Sequence, residues 1–211
     1  MWLKLTGAIS TENKTSQLTR DAVHSHPYLW SLYHPRFEDT RADMLASYRK
    51  MIIVRHPLER VISTYRDKLE GYTGRERVNF RKYMKERIEE KFGLSSPGDL
   101  VSFVDFVRFI VEQDNEELVQ LDPHWRSIHQ LCNPCAIEYD FIGKFERLRE
   151  DSTSVLRWLG SEGEMLLPQE MYPTSASNFT AHYLGLLHTD LKQAFLVKYL
   201  IDYISFDYAL L

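Results

Sequence analysis

A short apolar run and the helical pattern that follows it form the most regular part of the chain. Residues 51–54 are apolar without interruption, which favours a strand buried on both faces. Pro57 suits the first turn of a helix, because its missing N–H would have no intrahelical partner there. The apolar spacing predicts that this helix runs from about residue 57 to residue 69 and ends near Gly71.

Other segments with regular apolar spacing surround this strand and helix. We predict helices over 41–50, 75–91, 145–159 and 181–203, and a helix within 97–113 that is apolar on nearly every side and therefore belongs in a core. Residues 136–142 are predicted to form a second strand, residues 1–8 the end of a helix closed by Gly7, and residues 10–40 a long loop. Because strands alternate with helices, the chain is predicted to adopt a three-layer α/β fold around a small parallel sheet.

Composition and charge narrow the class of protein. The 211 residues are 44% hydrophobic and 27% charged, as expected for one globular domain over 1–211. The 26 Lys and Arg against 30 Asp and Glu leave a net charge of −4, which does not point to a nucleic-acid partner. No apolar run approaches the roughly 18 residues that a membrane span needs, so we expect no membrane segment in this chain.

The junction after residues 51–54 carries the residues best suited to bind an anion. Arg55 stands at the carboxyl end of the predicted buried strand, where α/β folds bind ligands. The following helix presents its positive end, and Arg60 and Ser63 share one face of it. Arg55 and Ser63 can therefore meet on one phosphate group. The alternative is an arginine that pairs with a carboxylate and a serine that packs within a helix.

The same stretch resembles the 3′-phosphate-binding motif of the Golgi carbohydrate sulfotransferases, which reads roughly V-R-x-P-F-E-R-L-x-S-A-Y-R-D-K. The matching residues are Arg55, Pro57, Glu59, Arg60, Ser63, Tyr65, Arg66, Asp67 and Lys68, and the departures are Leu58 and Thr64. The resemblance continues at His124-Trp125, at Cys132-Asn133-Pro134-Cys135, over 139–146 and over 199–208. It therefore spans nearly the whole chain.

This resemblance implies a donor, an acceptor and a compartment. The donor would be 3′-phosphoadenosine 5′-phosphosulfate, with no metal, held at its 3′-phosphate by Arg55, Ser63 and Arg60. The acceptor would be a sugar hydroxyl of a glycosaminoglycan or of a glycan bearing N-acetylgalactosamine or glucuronate. The expected location is the Golgi lumen or membrane. A nucleotide kinase is disfavoured, because the chain contains no GxxxxGK[ST] motif.

The resemblance also implies parts of the family that this sequence does not contain. Aligning Leu5-Thr6-Gly7 with the family places the 5′-phosphosulfate loop, the first strand and the membrane anchor before Met1. We therefore expect an incomplete sulfotransferase domain that transfers sulfate poorly. The alternative function is that of a catalytically inactive relative or truncated isoform that binds 3′-phosphoadenosine nucleotide or acidic glycan.

Sulfuryl transfer also needs a base for the acceptor hydroxyl, and histidine suits this role near neutral pH. One candidate is His124. The other is the pair His24 and His26, because a related uronosyl sulfotransferase group has an H-x-H upstream of its arginine strand. For each of these histidines the alternative is a loop residue that caps or packs. A metal site at the H-x-H is disfavoured, because no acidic cluster lies near it.

Three further features have possible roles outside catalysis. Cys132 and Cys135 are expected to be structural, either as a local disulfide or as two packed thiols, rather than a redox pair. Asn178 begins a glycosylation sequon, Asn-Phe-Thr. Five basic residues form either a surface for an anionic polysaccharide or a solvated helix face: Arg75, Arg77, Arg81, Lys82 and Lys85.

Overall fold

The structure, a computed structural model, describes residues 34–70, 75–94, 100–113, 122–160 and 176–211. Residues 1–33 lie outside these ranges, and with them the predicted helix end at Gly7 and the candidate bases His24 and His26. The described elements are α1 (Arg41–Ser47), β1 (Met51–Val54), α2 (Pro57–Lys68), α3 (Arg75–Phe92), α4 (Phe103–Val111), α5 (Ile128–Cys132), β2 (Phe141–Lys144), α6 (Leu148–Trp158), α7 (Ala176–Leu186) and α8 (Thr189–Ser205). Short 3₁₀ turns occupy Pro35–Phe37 and Phe145–Arg147.

The two described strands form a parallel sheet with helices on both faces. Met51 pairs with Phe141, and Val54 pairs with Lys144. On one face, the buried side chain of Val54 lies in a small apolar cluster with residues of α5 and the end of α8. On the other face, α6 packs so closely that a Cβ at Gly143 would meet side-chain atoms of β1 and α6. This arrangement agrees with the predicted three-layer α/β fold.

A larger core lies among the helices beside the sheet. It is built mainly from the inner face of α2, the almost wholly apolar α4 and the inner face of α8, and its members include Leu58, Val61, Phe106, Ile110 and Phe195, all nearly inaccessible to solvent. Burial of such side chains stabilises a fold by about 1.5–3 kcal/mol each. The prediction of a core helix within 97–113 is confirmed. No helix in the described ranges is both long enough and apolar enough to cross a bilayer.

The second strand begins later than its apolar pattern predicts. We expected a strand over 136–142, whereas β2 starts at Phe141. The left-handed conformation of Asn133 ends α5, and a turn follows in which the N–H groups of residues 136 and 137 donate to the Asn133 carbonyl. Pairing starts only where the N–H of Asp140 donates to the Lys50 carbonyl, while the Asp140 carboxylate accepts from the Lys50 N–H.

The C-terminal helix predicted over 181–203 is two helices, α7 and α8. The chain is extended at His188, with φ −69° and ψ 158°, and α8 begins at the next residue. The neighbouring Leu187 is buried in the helical core, at 3% exposure. The break therefore lets the chain turn and bury this side chain, which the helical spacing alone did not reveal.

Candidate functional site

The candidate site lies at the junction of β1 and α2. The strand ends at Val54, and Pro57 begins the helix as predicted, so Arg55 and His56 form the whole link. The His56 N–H donates to the Glu146 carboxylate at 2.7 Å. The Glu146 carboxylate therefore accepts a hydrogen bond at the positive end of α2, where the sequence predicted that an external anion binds.

Arg55 projects from this link toward an open cavity. Its Nε lies 3.7 Å from the Glu59 carboxylate, and its guanidinium lies 4.5 Å from the centre of the Phe145 ring. The Nε atom is buried and makes no hydrogen bond within the described part of the chain. An ion pair of this length leaves hydrogen-bonding capacity on the guanidinium for an anionic ligand.

The cavity brings together four residues that the sequence singled out. Its volume is about 250 Å³, and its lining residues are Arg55, Arg60, Ser63, Thr64, Pro123 and His124. Ser63 is exposed on α2. A guanidinium and a hydroxyl thus face one space from β1 and α2, while a histidine enters it from a different part of the chain.

His124 is paired with an acidic residue that the sequence analysis missed. Its ring Nδ1 forms a hydrogen bond with the Asp122 carboxylate, which also accepts the His124 backbone N–H at 2.9 Å. Burial alone would raise the pKa of Asp122, but these bonds from His124 outweigh it and lower the pKa. With Nδ1 engaged, Nε2 is the nitrogen left to exchange a proton. The Asp-Pro-His spacing was the available signal for this pair.

Arg60 lines the cavity but uses its guanidinium on the protein backbone. Nη1 donates to the Arg126 carbonyl and Nη2 to the Pro123 carbonyl, each at 2.5 Å. The hydroxyl of Thr64 lies 3.0 Å from the Arg60 carbonyl and 3.2 Å from the His124 carbonyl. The assignment of Arg60 to the 3′-phosphate stays a prediction.

The two cysteines are free thiols in this structure, and a disulfide between them stays a prediction. Cys132, at the end of α5, is half-buried against the apolar cluster behind β1, and burial raises the pKa of its thiol. Cys135 is exposed, with its sulfur 4.0 Å from His129 Nδ1. The packed-thiol role that the sequence allowed describes Cys132, which lies against an apolar cluster. It does not describe Cys135, which is exposed.

The three basic residues of α3 that were predicted to form a surface and whose side chains are described differ in exposure. Arg81 is buried at 9% exposure, and Lys85 pairs with Glu89 at 2.6 Å, while Lys82 is exposed. The side chains of Arg75, Arg77 and the sequon residue Asn178 lie outside the described part of the structure. Among the residues that are described, no three or more His, Cys, Asp and Glu side chains are grouped to hold a metal ion.

Sequence comparisons identify relatives of this chain. A sequence model described as "Sulfotransferase family" matches residues 5–210. Carbohydrate sulfotransferase 14 of Homo sapiens is 35% identical over 168 residues, which cover 79% of this chain and 44% of the human protein. Carbohydrate sulfotransferase 11 of Rattus norvegicus is 30% identical over 172 residues, which cover 78% of this chain and 48% of the rat protein.

A third relative, carbohydrate sulfotransferase 9 of Homo sapiens, is 33% identical over 174 residues, covering 78% of this chain and 38% of that protein. The chain therefore spans less than half the length of these three relatives. No solved structure matches it.

Proposed function

Because the chain belongs to the sulfotransferase family, we propose that it transfers a sulfuryl group from 3′-phosphoadenosine 5′-phosphosulfate to a sugar hydroxyl. The observation that carries this proposal is the cavity in which Arg55 and Ser63 face the Asp122–His124 pair. Such a cavity holds an anion-binding group and a proton-accepting group side by side. A sulfuryl-transfer site needs both.

The residues present suit a nucleotide that carries a 3′-phosphate. The buried Nε of Arg55 has no hydrogen-bond acceptor among the described residues, and Ser63 offers a hydroxyl to the same space. Glu59, 3.7 Å from Arg55, orients the guanidinium. A phosphate would gain charge-assisted bonds from Arg55 and a further bond from Ser63. When bound, the donor nucleotide supplies an activated sulfuryl group.

His124 is assigned the role of the base that takes the proton from the acceptor hydroxyl. Its ring is held through Nδ1 by Asp122, so Nε2 takes the proton from the sugar hydroxyl, and Asp122 stabilises the imidazolium that results. The exposed position of His124 at the cavity leaves room for a large acceptor. A histidine that acts as a general base in this way typically contributes about 10²–10⁴-fold to the reaction rate.

The relatives support a proposal for the acceptor and for the compartment. The relatives are named carbohydrate sulfotransferases, which supports a glycan acceptor. We propose a glycosaminoglycan, or a glycan with N-acetylgalactosamine or glucuronate, and a Golgi location with glycosylation at Asn178. These assignments rest on family resemblance.

Calorimetric titration with 3′-phosphoadenosine 5′-phosphate tests the donor site. Arg55→Ala and Ser63→Ala should each weaken binding, since a lost charge-assisted hydrogen bond costs about 1.5–3 kcal/mol, or about 10- to 150-fold in affinity. The matched controls are Arg108→Ala, on an exposed guanidinium of α4 that pairs with Glu112, and Ser154→Ala, on an exposed serine of α6. Unchanged affinity in both folded site variants would defeat the assignment.

A radiolabelled sulfate-transfer assay on desulfated chondroitin tests the reaction itself. The proposal expects measurable transfer by the wild-type protein, even at a low rate, and a further loss of about 10²-fold or more in His124→Asn. If the wild-type protein binds the nucleotide but transfers no sulfate, the alternative of a binding protein without turnover replaces the proposed reaction.

A further inference from the structure

The segment that carries His124 is held through its backbone by side chains of α2. We call residues 123–129 the clamped segment. Arg60 donates to the carbonyls of Pro123 and Arg126, and the Thr64 hydroxyl lies within hydrogen-bond distance of the His124 carbonyl. Both side chains come from the helix that also carries Ser63. The histidine and the anion-binding residues are therefore fixed relative to one helix.

Helix α8 holds the clamped segment from the opposite side. The Tyr199 hydroxyl donates to the Trp125 carbonyl, and the Asp202 carboxylate accepts the N–H groups of Ile128 and His129 at 2.7 and 2.8 Å. Tyr199 and Asp202 are buried, at 2% and 1% exposure. Hydrogen bonds of this kind are stronger in a buried environment than at the surface.

The clamped segment thus has an unusual pattern of hydrogen bonds. All four consecutive carbonyl groups from Pro123 to Arg126 face a side-chain donor from another helix. Connecting segments normally expose such groups to water and move more than the elements they join. Here the backbone on both sides of His124 is bound to two helices of the core, so the point from which its ring enters the cavity is fixed.

We propose that Arg60 is a positioning residue that holds His124 in place, rather than a ligand of the nucleotide, and that Thr64, Tyr199 and Asp202 complete the same clamp. This inference rests on the proposed function, because it assumes that His124 takes the acceptor proton. Both terminal nitrogens of Arg60 are already bonded to carbonyls, whereas the Arg55 guanidinium lies 3.7 Å from Glu59 and contacts the Phe145 ring, and its Nε makes no hydrogen bond among the described residues. Placement errors of about 1 Å at a reacting group cost on the order of 10²-fold in rate.

Nucleotide titration separates a positioning residue from a ligand. In Arg60→Ala, the affinity for 3′-phosphoadenosine 5′-phosphate should stay within about threefold of wild type, while Arg55→Ala loses about tenfold or more. An equal loss in the two variants would overturn the proposal and make Arg60 a phosphate ligand. No binding by the wild-type protein would instead remove the proposed donor site.

Steady-state sulfate transfer supplies the second readout. Arg60→Ala should lower kcat by about 10- to 100-fold with the KM for the donor nearly unchanged. Arg60→Lys, which keeps a donor, should recover part of this loss, and the control Arg108→Ala, on an exposed arginine of α4, should leave kcat unchanged. Unchanged kcat in Arg60→Ala overturns this proposal alone, whereas no transfer by the wild-type protein removes the proposed function and this proposal with it.

A more conservative substitution tests the clamp if Arg60→Ala does not fold. Tyr199→Phe keeps the buried ring and removes only the bond to the Trp125 carbonyl. It should lower kcat by about fivefold at constant donor KM, since one neutral hydrogen bond is worth about 1 kcal/mol and tenfold corresponds to about 1.4 kcal/mol. A fully active, folded Tyr199→Phe would overturn the clamp.

Discussion

At the scale of single residues, the site depends on pairs in which one side chain orients another. Glu59 faces Arg55, and Asp122 binds His124. In each pair the acidic partner comes from within four residues of the basic one, so local geometry sets the pairing. The two pairs face the same cavity because hydrogen bonds hold α2 and the clamped segment together.

Replacing Asp122 should change how stability depends on pH. The pKa of Asp122 in the folded protein lies below its ordinary value of 3.8, because the bonds from His124 outweigh the effect of burial. Such a group stabilises the fold above its unfolded pKa and loses this effect as the pH falls through the folded pKa. We expect Asp122→Asn to lower the free energy of unfolding by about 1 kcal/mol at pH 6, a difference that shrinks toward zero below pH 3.8.

Urea unfolding of wild type and Asp122→Asn between pH 6 and pH 3 measures this difference. Asp190→Asn, at an exposed position in the first turn of α8, serves as the matched control. A difference that stays constant over the whole range would contradict the assignment of the lowered pKa to this pair.

The two cysteines should differ in their effect on stability. Cys132 packs against the apolar cluster behind β1, whereas Cys135 is exposed. Cys132→Ala should lower the free energy of unfolding by about 1–2 kcal/mol, because removing the sulfur leaves a space in the apolar cluster. Cys135→Ala should lower it by less than about 0.5 kcal/mol, because this side chain is exposed. Chemical denaturation of the two variants checks this, and equal losses would show that the pair acts as one structural unit.

The residues of the site were predictable to the extent that their signals are local. Arg55 and Ser63 follow from one motif at the end of an apolar run, and His124 follows from a short resemblance. Tyr199 and Asp202 lie more than 70 residues from the backbone groups they bind. No spacing in the sequence links such positions, because the contact arises only when α8 packs against α5.

At the scale of elements, one short helix depends on a residue from another. Asp202 of α8 accepts the N–H groups of the first two residues of α5, where a helix has no internal acceptors. Ser127, the residue before α5, adds a bond to the Gln130 N–H. A helix of five residues has little stability of its own, so this bonding from α8 maintains it.

Asp202→Ala should therefore be among the most destabilising changes in the chain. It leaves two N–H groups without their acceptor, and we expect a loss of about 2–4 kcal/mol in the free energy of unfolding. Asp202→Asn keeps one acceptor oxygen and should lose less, the more so because burial raises the pKa of Asp202 and so disfavours the charged carboxylate. Thermal and urea unfolding measure both variants, and an Asn variant as unstable as the Ala variant would contradict the capping role.

The elements with strong local signals were predicted closely, and the others were not. Helix α2 begins at Pro57 as predicted and ends within one residue of expectation. Strand β2 was predicted five residues early, because the apolar pattern over 136–142 does not show the left-handed Asn133 that first turns the chain. The break between α7 and α8 was missed because both helices continue one apolar spacing.

At the scale of the whole molecule, the candidate site lies where the sheet meets the helical core. β1 delivers Arg55 from the sheet, α2 delivers Ser63, and the clamped segment delivers His124 from its position between α2 and α8. The prediction of a small parallel sheet within layers of helices is confirmed. This prediction was possible because few fold classes accommodate a buried apolar strand that is followed by a helix beginning at Pro57. The prediction of one domain over 1–211 stays a prediction.

The central claim is that this cavity holds the 3′-phosphate of the donor nucleotide. A crystal structure of the protein grown with 3′-phosphoadenosine 5′-phosphate tests this claim most directly. The account predicts the 3′-phosphate within hydrogen-bond distance, roughly 2.7–3.2 Å, of the Arg55 guanidinium and of the Ser63 hydroxyl, with Arg60 still bonded to Pro123 and Arg126. A nucleotide bound elsewhere, or a 3′-phosphate held by Arg60 after release of those carbonyls, would contradict it.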